Sequence, residues 1–286
     1  MEKINFKVLF VIILILGAIL GWQNLGGKIL SSRFRREDYF QKLGLKKEQV
    51  RIINLSLQGK SLELKKEGDI WRIKGKKARE TEVNEFLAVL FPQNPPEIVA
   101  KTSSRHSQMG VDEKGAIKIK INGEKEIWLG KSDGGGNFLR FPGSDEVWLV
   151  AGSWFSPSFD FSNWVDKTII SLDSQKLKKI DWQSPPRARL YQKKENFWWE
   201  GEKKVEDKVV EPLVSELSPL NADEVLEDQR PAGYSSVPKA TLEIEWEGGS
   251  EKLEFFAGKD KYLVKRNSDG QEFLISSSVA QKFLNL

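Results

Sequence analysis

The sequence predicts an α+β fold: an N-terminal transmembrane helix followed by two tandem repeats, each an antiparallel sheet with one main amphipathic helix. Three observations lead to this prediction. Residues 8–27 are uncharged and mostly apolar, two later stretches show the 3.6-residue apolar period of a helix, and alternating apolar segments flank both stretches. The predicted parts are a short tail (1–7), an anchor (8–27), a linker (28–47) and repeats over 48–172 and 173–286.

Residues 8–27 are long enough to cross a bilayer as a helix. At ~1.5 Å per residue, a helix of this length covers the roughly 30 Å hydrocarbon core. A cleaved signal peptide would need small residues at a cleavage site after the apolar run, and no clean pair of them follows. A cleaved signal and an apolar core helix remain the alternatives. We expect a single-pass protein of the cell membrane, anchored through 8–27.

Basic residues are concentrated beside this apolar segment. Six of the 45 basic residues and one of the 41 acidic residues lie in 1–36. The remaining 39 basic and 40 acidic residues form a nearly neutral body over 37–286. Nucleic-acid binding needs a concentrated basic footprint, so we expect no nucleic acid among the partners. The basic residues of 28–36 favour a cytoplasmic body by the positive-inside count, but large trailing domains translocate largely regardless of charge.

The body repeats itself with an offset of 127 residues. Trp71 falls on Trp198, and the quartet Val83, Phe86, Leu87 and Leu90 falls on Val210, Leu213, Val214 and Leu217. The i, i+3, i+4, i+7 spacing of both quartets predicts one helix in each repeat, over 80–91 in the first. Alternation predicts strands over 50–56, 60–66, 69–74, 116–121 and 126–130, and in the segments FLRF and VWLV. Between two of these, Asn122-Gly123 is a strong hairpin signal.

The residue inventory restricts the chemistry. The absence of cysteine excludes disulfides, thiolate metal sites and cysteine nucleophiles. The single histidine, His106, lies in a polar stretch and is interpreted as an exposed loop residue. The glycine tract 134–136 lies between two predicted strands, whereas phosphate-binding loops lead into a helix, so we interpret it as a hairpin loop. We predict no catalytic residue, cofactor or metal site.

Aromatic residues accumulate in the connector between the repeats, over 153–164. This segment either packs the repeats together or faces a partner. Five tryptophans in predicted strands are interpreted as core residues: Trp71, Trp128, Trp148, Trp198 and Trp246. Trp154, Trp164 and Trp199 are better candidates for exposed rings. The candidate interaction surface therefore consists of Trp154, Phe155, Phe159, Phe161, Trp164 and Trp199.

Several short segments together resemble the bacterial DUF4340 family. They are MGVDEKGAIKIKINGEKEIWLGK (109–131), VWLV (147–150) and WVDKTIISLD (164–173). The family pattern has a YGLD-x-P turn, a V-Y-L-V strand and an R-D-K-T-L-L connector, from which Met109, Lys114-Gly115 and Val165 depart. The resemblance covers residues 48–286. It implies an N-terminally anchored protein facing away from the cytoplasm, auxiliary to ABC transport systems of the gliding-motility type, and it carries over no catalytic residues.

These observations lead to one main functional hypothesis and two alternatives. The main hypothesis is a membrane-anchored, non-enzymatic envelope protein that serves as an interaction or accessory module, with transport-system subunits as protein partners. The first alternative is a glycan or cell-wall binding module that uses the aromatic rings of 153–164 and Trp199. The second is a carboxylate-based hydrolase, although no spacing among the 41 acidic residues singles out a catalytic pair.

Overall fold

The computed structural model describes residues 38–94, 96–227 and 230–284. Its first large sheet is built from β1 (Ile52–Leu57), β2 (Lys60–Glu67), β3 (Ile70–Ile73), β4 (Lys76–Lys77), β5 (Glu97–Ala100), β6 (Ile117–Ile121), β7 (Lys125–Asp133), β8 (Gly136–Arg140) and β9 (Val147–Ala151). Its strand order is β4-β3-β2-β1-β6-β7-β8-β9-β5. The first half of this order is a meander, which short two-residue turns permit.

The second large sheet is built from β11 (Leu177–Ser184), β12 (Arg187–Lys194), β13 (Phe197–Glu200), β14 (Lys203–Val205), β16 (Glu224–Val225), β17 (Ala240–Trp246), β18 (Gly249–Ala257), β19 (Lys261–Arg266) and β20 (Glu272–Ser276). Its order, β14-β13-β12-β11-β17-β18-β19-β20-β16, repeats that of the first sheet position by position. A separate antiparallel pair joins β10 (Thr168–Ile170) and β15 (Leu220–Asn221).

Five helices are labelled in chain order, in addition to helical residues 38–43 and two short 3-10 turns. They are α1 (Glu80–Leu90), α2 (His106–Met109), α3 (Phe161–Trp164), α4 (Asp207–Glu216) and α5 (Ser277–Leu284). The prediction of a helix over 80–91 is confirmed by α1, which ends just before Pro92, a residue that cannot continue a helix. The predicted hairpin at Asn122-Gly123 joins β6 to β7, and both residues adopt the positive φ that such turns require.

The predicted α+β class with a transmembrane helix is wrong for the described chain, which is mostly β, with 44% strand against 20% helix. Short edge strands such as β4 and β5 are not among the predicted strands, because two to four residues show no apolar period. Their backbone groups nevertheless pair at the sheet edges. No helix within the described ranges is long and apolar enough to cross a membrane, and the predicted anchor 8–27 lies outside them.

The described chain forms two compact units. One comprises residues 38–71 and 80–159, and the other comprises Arg72–Arg79 with residues 160–284. Segment 72–79 belongs to the second unit through contacts such as the ion pair of Lys77 with Asp166 (2.8 Å) and the Arg79 N–H bond to the Trp164 carbonyl (2.6 Å).

In the first unit, the largest buried side chains come from α1, from residues 38–43 and from alternate positions of the central strands. Tyr39 is fully buried, its ring lies 5.6 Å from that of Trp148, and its hydroxyl donates to the Leu90 carbonyl at the end of α1 (3.0 Å). Burial raises the pKa of this hydroxyl, since the charged form would be desolvated. A smaller apolar cluster is formed by Met109, Val111, Phe138 and Val147.

In the second unit, α5 closes the core at the end of the described chain. Phe283 is fully buried and stacks on Phe255 with ring centroids 5.3 Å apart. The indole N–H of Trp182 donates to the Phe283 carbonyl, so a strand and the last helix are joined by both packing and a hydrogen bond. A second cluster in this unit is formed by Leu226, Phe256, Leu263 and Leu274.

Candidate functional site

Trp154 is the most exposed aromatic residue of the predicted interaction surface, with 63% of its surface accessible. It lies in the first unit, next to the hairpin that joins β7 to β8. Its indole N–H donates to the carbonyl of Asp133 at the end of β7 (3.0 Å). The ring is thus held in one orientation while it remains open to solvent.

The backbone after Trp154 is fixed by Asn137 of β8, whose side chain is almost completely buried. The Asn137 amide nitrogen donates to the Phe155 carbonyl and its oxygen accepts from the Phe155 N–H, both at 2.9 Å. The Phe155 ring is half-buried and lies 5.6 Å from the ring of Phe86 in α1. The connector is therefore held at Phe155 through both of its polar backbone groups and through its ring, which restricts the motion of the neighbouring Trp154.

The glycine tract beside this site is a hairpin loop, as predicted, because Asp133 pairs with Gly136 across a two-residue turn. Gly136 has φ 147°, and a Cβ at this position would lie 2.0 Å from the carbonyl oxygen of Val150. Only glycine tolerates both conditions. The close approach of β9 thus requires glycine at position 136, so no phosphate ligand is needed to explain this residue.

The remaining predicted residues of the connector are less accessible. Phe159 is half-buried, while Phe161 and Trp164 are buried within α3, and Trp164 retains 1% exposure. The prediction of an exposed Trp164 ring is therefore wrong. Asp160 caps α3 by accepting a hydrogen bond from the Ser162 N–H (2.9 Å), and this bond lowers the pKa of the Asp160 carboxyl. The cap fixes the short helix that carries the buried Trp164. Phe161, Trp164 and Trp199 belong to the second unit, and the other three belong to the first.

Trp199 is half-buried on β13, and its buried indole N–H has no hydrogen-bond partner within the described structure. Two further exposed apolar residues, Leu190 and Phe197, lie near it on β12 and β13 and were missed by the sequence analysis. The Lys204 ammonium lies 3.0 Å from the centre of the Phe197 ring, a cation–π contact. A comparison of the repeats at the 127-residue offset would have found Leu190, because Glu63 occupies the equivalent position.

His106 is not an exposed loop residue, so that interpretation is wrong. It begins α2 and retains 7% exposure. Its Nε2 lies 3.0 Å from the carbonyl oxygen of Asp145 and donates to it, since a carbonyl can only accept. The burial of His106 could not be predicted from the polar residues around it, because it depends on a segment almost 40 positions away in the sequence. Half-burial of Trp128 and Trp246 likewise corrects their assignment to the core.

The carboxyl groups with displaced pKa values have structural partners. The Gly115 and Lys114 backbone N–H groups, both 2.9 Å from an Asp112 carboxyl oxygen, lower the pKa of that group. Burial would raise the pKa of Asp166, but hydrogen bonds from Lys77 and Thr168 lower it overall. Within the described ranges, no group of three His, Asp or Glu side chains is arranged to hold a metal ion. The exposed aromatic rings of Trp154 and Phe197 are open to solvent.

A family model described as a domain of unknown function (DUF4340) matches residues 87–237. The match begins within α1, ends shortly before β17 and covers more than half of the 286 residues. No curated protein matches the chain. No solved structure matches it either. The match agrees with the family motifs in segments 109–131 and 164–173, and the chain belongs to the DUF4340 family.

Proposed function

We propose that this chain is a membrane-attached, non-enzymatic interaction module of the cell envelope that binds a partner protein through Trp154. The observation that carries the proposal is a ring with 63% of its surface exposed yet oriented by a hydrogen bond to Asp133. An exposed apolar ring contributes no burial energy to folding, yet the hydrogen bond to Asp133 still fixes the orientation of Trp154. Such a ring fits a role as a binding anchor.

The fixed orientation of Trp154 would favour binding energetically. A partner that covers a mobile side chain has to restrict its rotamers, which costs roughly 0.5–1.5 kcal/mol for each immobilised side chain. The Asp133 hydrogen bond and the Asn137 clamp on Phe155 already restrict this segment in the free protein. Tryptophan is among the residues most often found at the energetic centres of protein interfaces.

The location and the partner class come from the sequence. The uncharged segment 8–27 would attach the chain to the cell membrane, with the body outside the cytoplasm as the family resemblance implies. The same resemblance suggests subunits of an ABC-type transport system as partners. The nearly neutral body over 37–286 supports a protein partner over nucleic acid.

The test is site-specific photo-crosslinking of the full-length chain in its native membranes. A photoreactive phenylalanine analogue replaces Trp154 in one variant and the exposed Glu85 of α1 in a control on the same unit. We expect a discrete crosslinked product at position 154 that mass spectrometry identifies as a transport subunit, and none at position 85. No product at position 154, or the same products at both positions, would refute the proposal.

Substitution of Trp154 by alanine gives a second readout. We expect the amount of co-purified partner to fall on the order of tenfold or more, as for an interface anchor. Val237→Ala is the matched control, because Val237 is also exposed and apolar but has no such hydrogen-bonded ring. If cell-wall fragments instead quench or shift tryptophan fluorescence of the parent chain but not of Trp154→Ala, the ring serves a glycan and the alternative function holds.

A further inference from the structure

Strands β12–β14 of the second sheet have one buried and one open face. Tyr191 and Trp198 point to the core and are almost fully buried. The alternate positions point outward, since side chains alternate along a strand and paired residues share a face. This outward surface, called the β12–β14 face below, consists of Ala188, Leu190, Gln192, Lys194, Phe197, Trp199 and Lys204.

The composition of the β12–β14 face is unusual for an exposed sheet surface. It contains two lysines and three large apolar residues, and none of these seven positions is acidic. Phe197 is 46% exposed and Leu190 is 38% exposed, so their apolar area is open to solvent. Lys204 lies over the Phe197 ring, and Lys194 is exposed at the end of β12. The face therefore combines aromatic rings with two lysines, and the nearest outward carboxylate along the sheet is that of Asp181, which pairs with Leu190 from β11.

The first sheet provides an internal comparison. At the 127-residue offset, the equivalent outward positions are Ser61, Glu63, Lys65, Glu67, Ile70, Arg72 and Lys77. Two carboxylates are present there, and there is no aromatic residue. The buried positions, in contrast, keep their character, since Leu64 corresponds to Tyr191 and Trp71 to Trp198, and all four are buried. Both sets of positions carry cations, so the difference is that the second sheet has aromatic residues and no carboxylate there, and a sheet of this order folds without that combination.

We infer that the β12–β14 face docks on an anionic lipid surface, with Phe197, Trp199 and Leu190 at the headgroup boundary and Lys194 and Lys204 among the phosphates. Aromatic rings prefer this boundary, and lysines near it are attracted by anionic lipid, whereas carboxylates would be repelled. The seven positions of the β12–β14 face carry no acidic residue and meet both conditions, and the carboxylates on this side of the sheet begin at Asp181 of β11. The inference rests on the proposed membrane attachment through 8–27.

Attachment also explains why a small patch is sufficient. Three apolar side chains and two lysines would bind a membrane only weakly on their own, since stable anchoring takes more than one signal. A body tethered to the same bilayer is held at high effective concentration, so even a weak contact becomes populated. The β12–β14 face would then set how the second unit lies on the membrane.

The absence of cysteine allows a direct test on the full-length chain. A single cysteine replaces Gln192 in the middle of the β12–β14 face, or the equivalent Lys65 in the first sheet, and carries an environment-sensitive fluorophore. Each chain is reconstituted into vesicles of phosphatidylcholine alone or with an equimolar amount of phosphatidylglycerol. We expect a blue shift of the label at position 192 in the anionic vesicles, with little shift in neutral vesicles or at position 65.

A variant of the face separates lipid contact from general effects of reconstitution. Leu190→Glu, Phe197→Ile and Trp199→Arg together install the residues that the first sheet, which has the same strand order, carries at the equivalent positions. We expect this variant to keep its near-UV circular dichroism and to lose the shift of the label at position 192. Retention of the shift in a folded variant would overturn the assignment.

The remaining outcomes are equally decisive. A chain that floats with both vesicle types but shows no shift at position 192 overturns the lipid face and leaves membrane attachment standing. A chain that floats with neither vesicle type overturns both the attachment and the inference. A shift that occurs in native membranes but not in lipid-only vesicles assigns the β12–β14 face to a protein partner and also overturns the inference.

Discussion

Gly136 is the position where one added methyl group should damage the first unit severely. A Cβ there would lie 2.0 Å from the carbonyl oxygen and 2.8 Å from the carbonyl carbon of Val150. Both atoms belong to the backbone of β9, which pairs with β8 and cannot rotate away as a side chain could. Gly134, two residues earlier, has no neighbouring atom within 4 Å of the corresponding Cβ and therefore serves as the matched control.

Two effects set the size of the loss in Gly136→Ala. The φ of 147° is a conformation essentially restricted to glycine, and holding alanine there costs roughly 1–3 kcal/mol. Inserting a methyl group into a tightly packed site costs roughly another 1–3 kcal/mol, because the strands must separate. The free energy of unfolding of the first unit should therefore fall by about 2–6 kcal/mol. Gly134→Ala should change it by about 0.5 kcal/mol or less.

The assay is urea unfolding of the full-length chain in mild detergent, followed by near-UV circular dichroism. We expect the transition of the first unit to move to lower urea in Gly136→Ala and to stay in place in Gly134→Ala. Equal midpoints for the two variants would refute the packing argument. The first unit would then not require glycine at position 136, and the explanation of this residue by the approach of β9 would be wrong.

Three further changes test other parts of the structure. Asn137→Ala should cost roughly 1–3 kcal/mol by leaving the Phe155 backbone groups unpaired, and limited proteolysis should cut the connector faster than in the parent chain. Phe283→Ala should lower the free energy of unfolding of the second unit by about 3–5 kcal/mol, since the ring is fully buried; thermal unfolding measures it. Asp112→Ala should lower the free energy of unfolding at neutral pH, because backbone N–H groups stabilise the ionised carboxyl and lower its pKa. This stabilisation is lost as the pH falls below 3.8 and through the lowered pKa, so the unfolding midpoints of the parent chain and the variant should converge there.

The sequence predicted those elements whose signals are local. The apolar period of 80–91 and the Asn122-Gly123 turn each need only neighbouring residues, and both agree with α1 and with the β6–β7 hairpin. The fold class was wrong because edge strands such as β4 and β5 are defined by the strand they pair with and not by their own composition. Those short pairings raise the strand content beyond what the alternating segments indicate.

The candidate site was predicted only in part, for a related reason. An aromatic-rich connector indicates that some rings are exposed, but burial of each ring depends on distant segments. Trp154 is exposed, with its N–H bonded to the Asp133 carbonyl, whereas Trp164 is buried within α3. The burial of His106 likewise depends on the segment around Asp145, which no local pattern could reveal.

The two units share the pattern of exposure more closely than the chemistry of the exposed residues. Positions 70 and 197 are equivalent in the repeat, and both are open, with 43% and 46% of their surfaces accessible, yet one is isoleucine and the other a phenylalanine under a lysine. Burial constrains a residue through packing, and an open position carries little of that constraint. Differences between the units at open positions therefore need an explanation outside folding. A difference in what the two sheet faces contact provides one, and exchanging only those outward residues between the units would test it without altering either core.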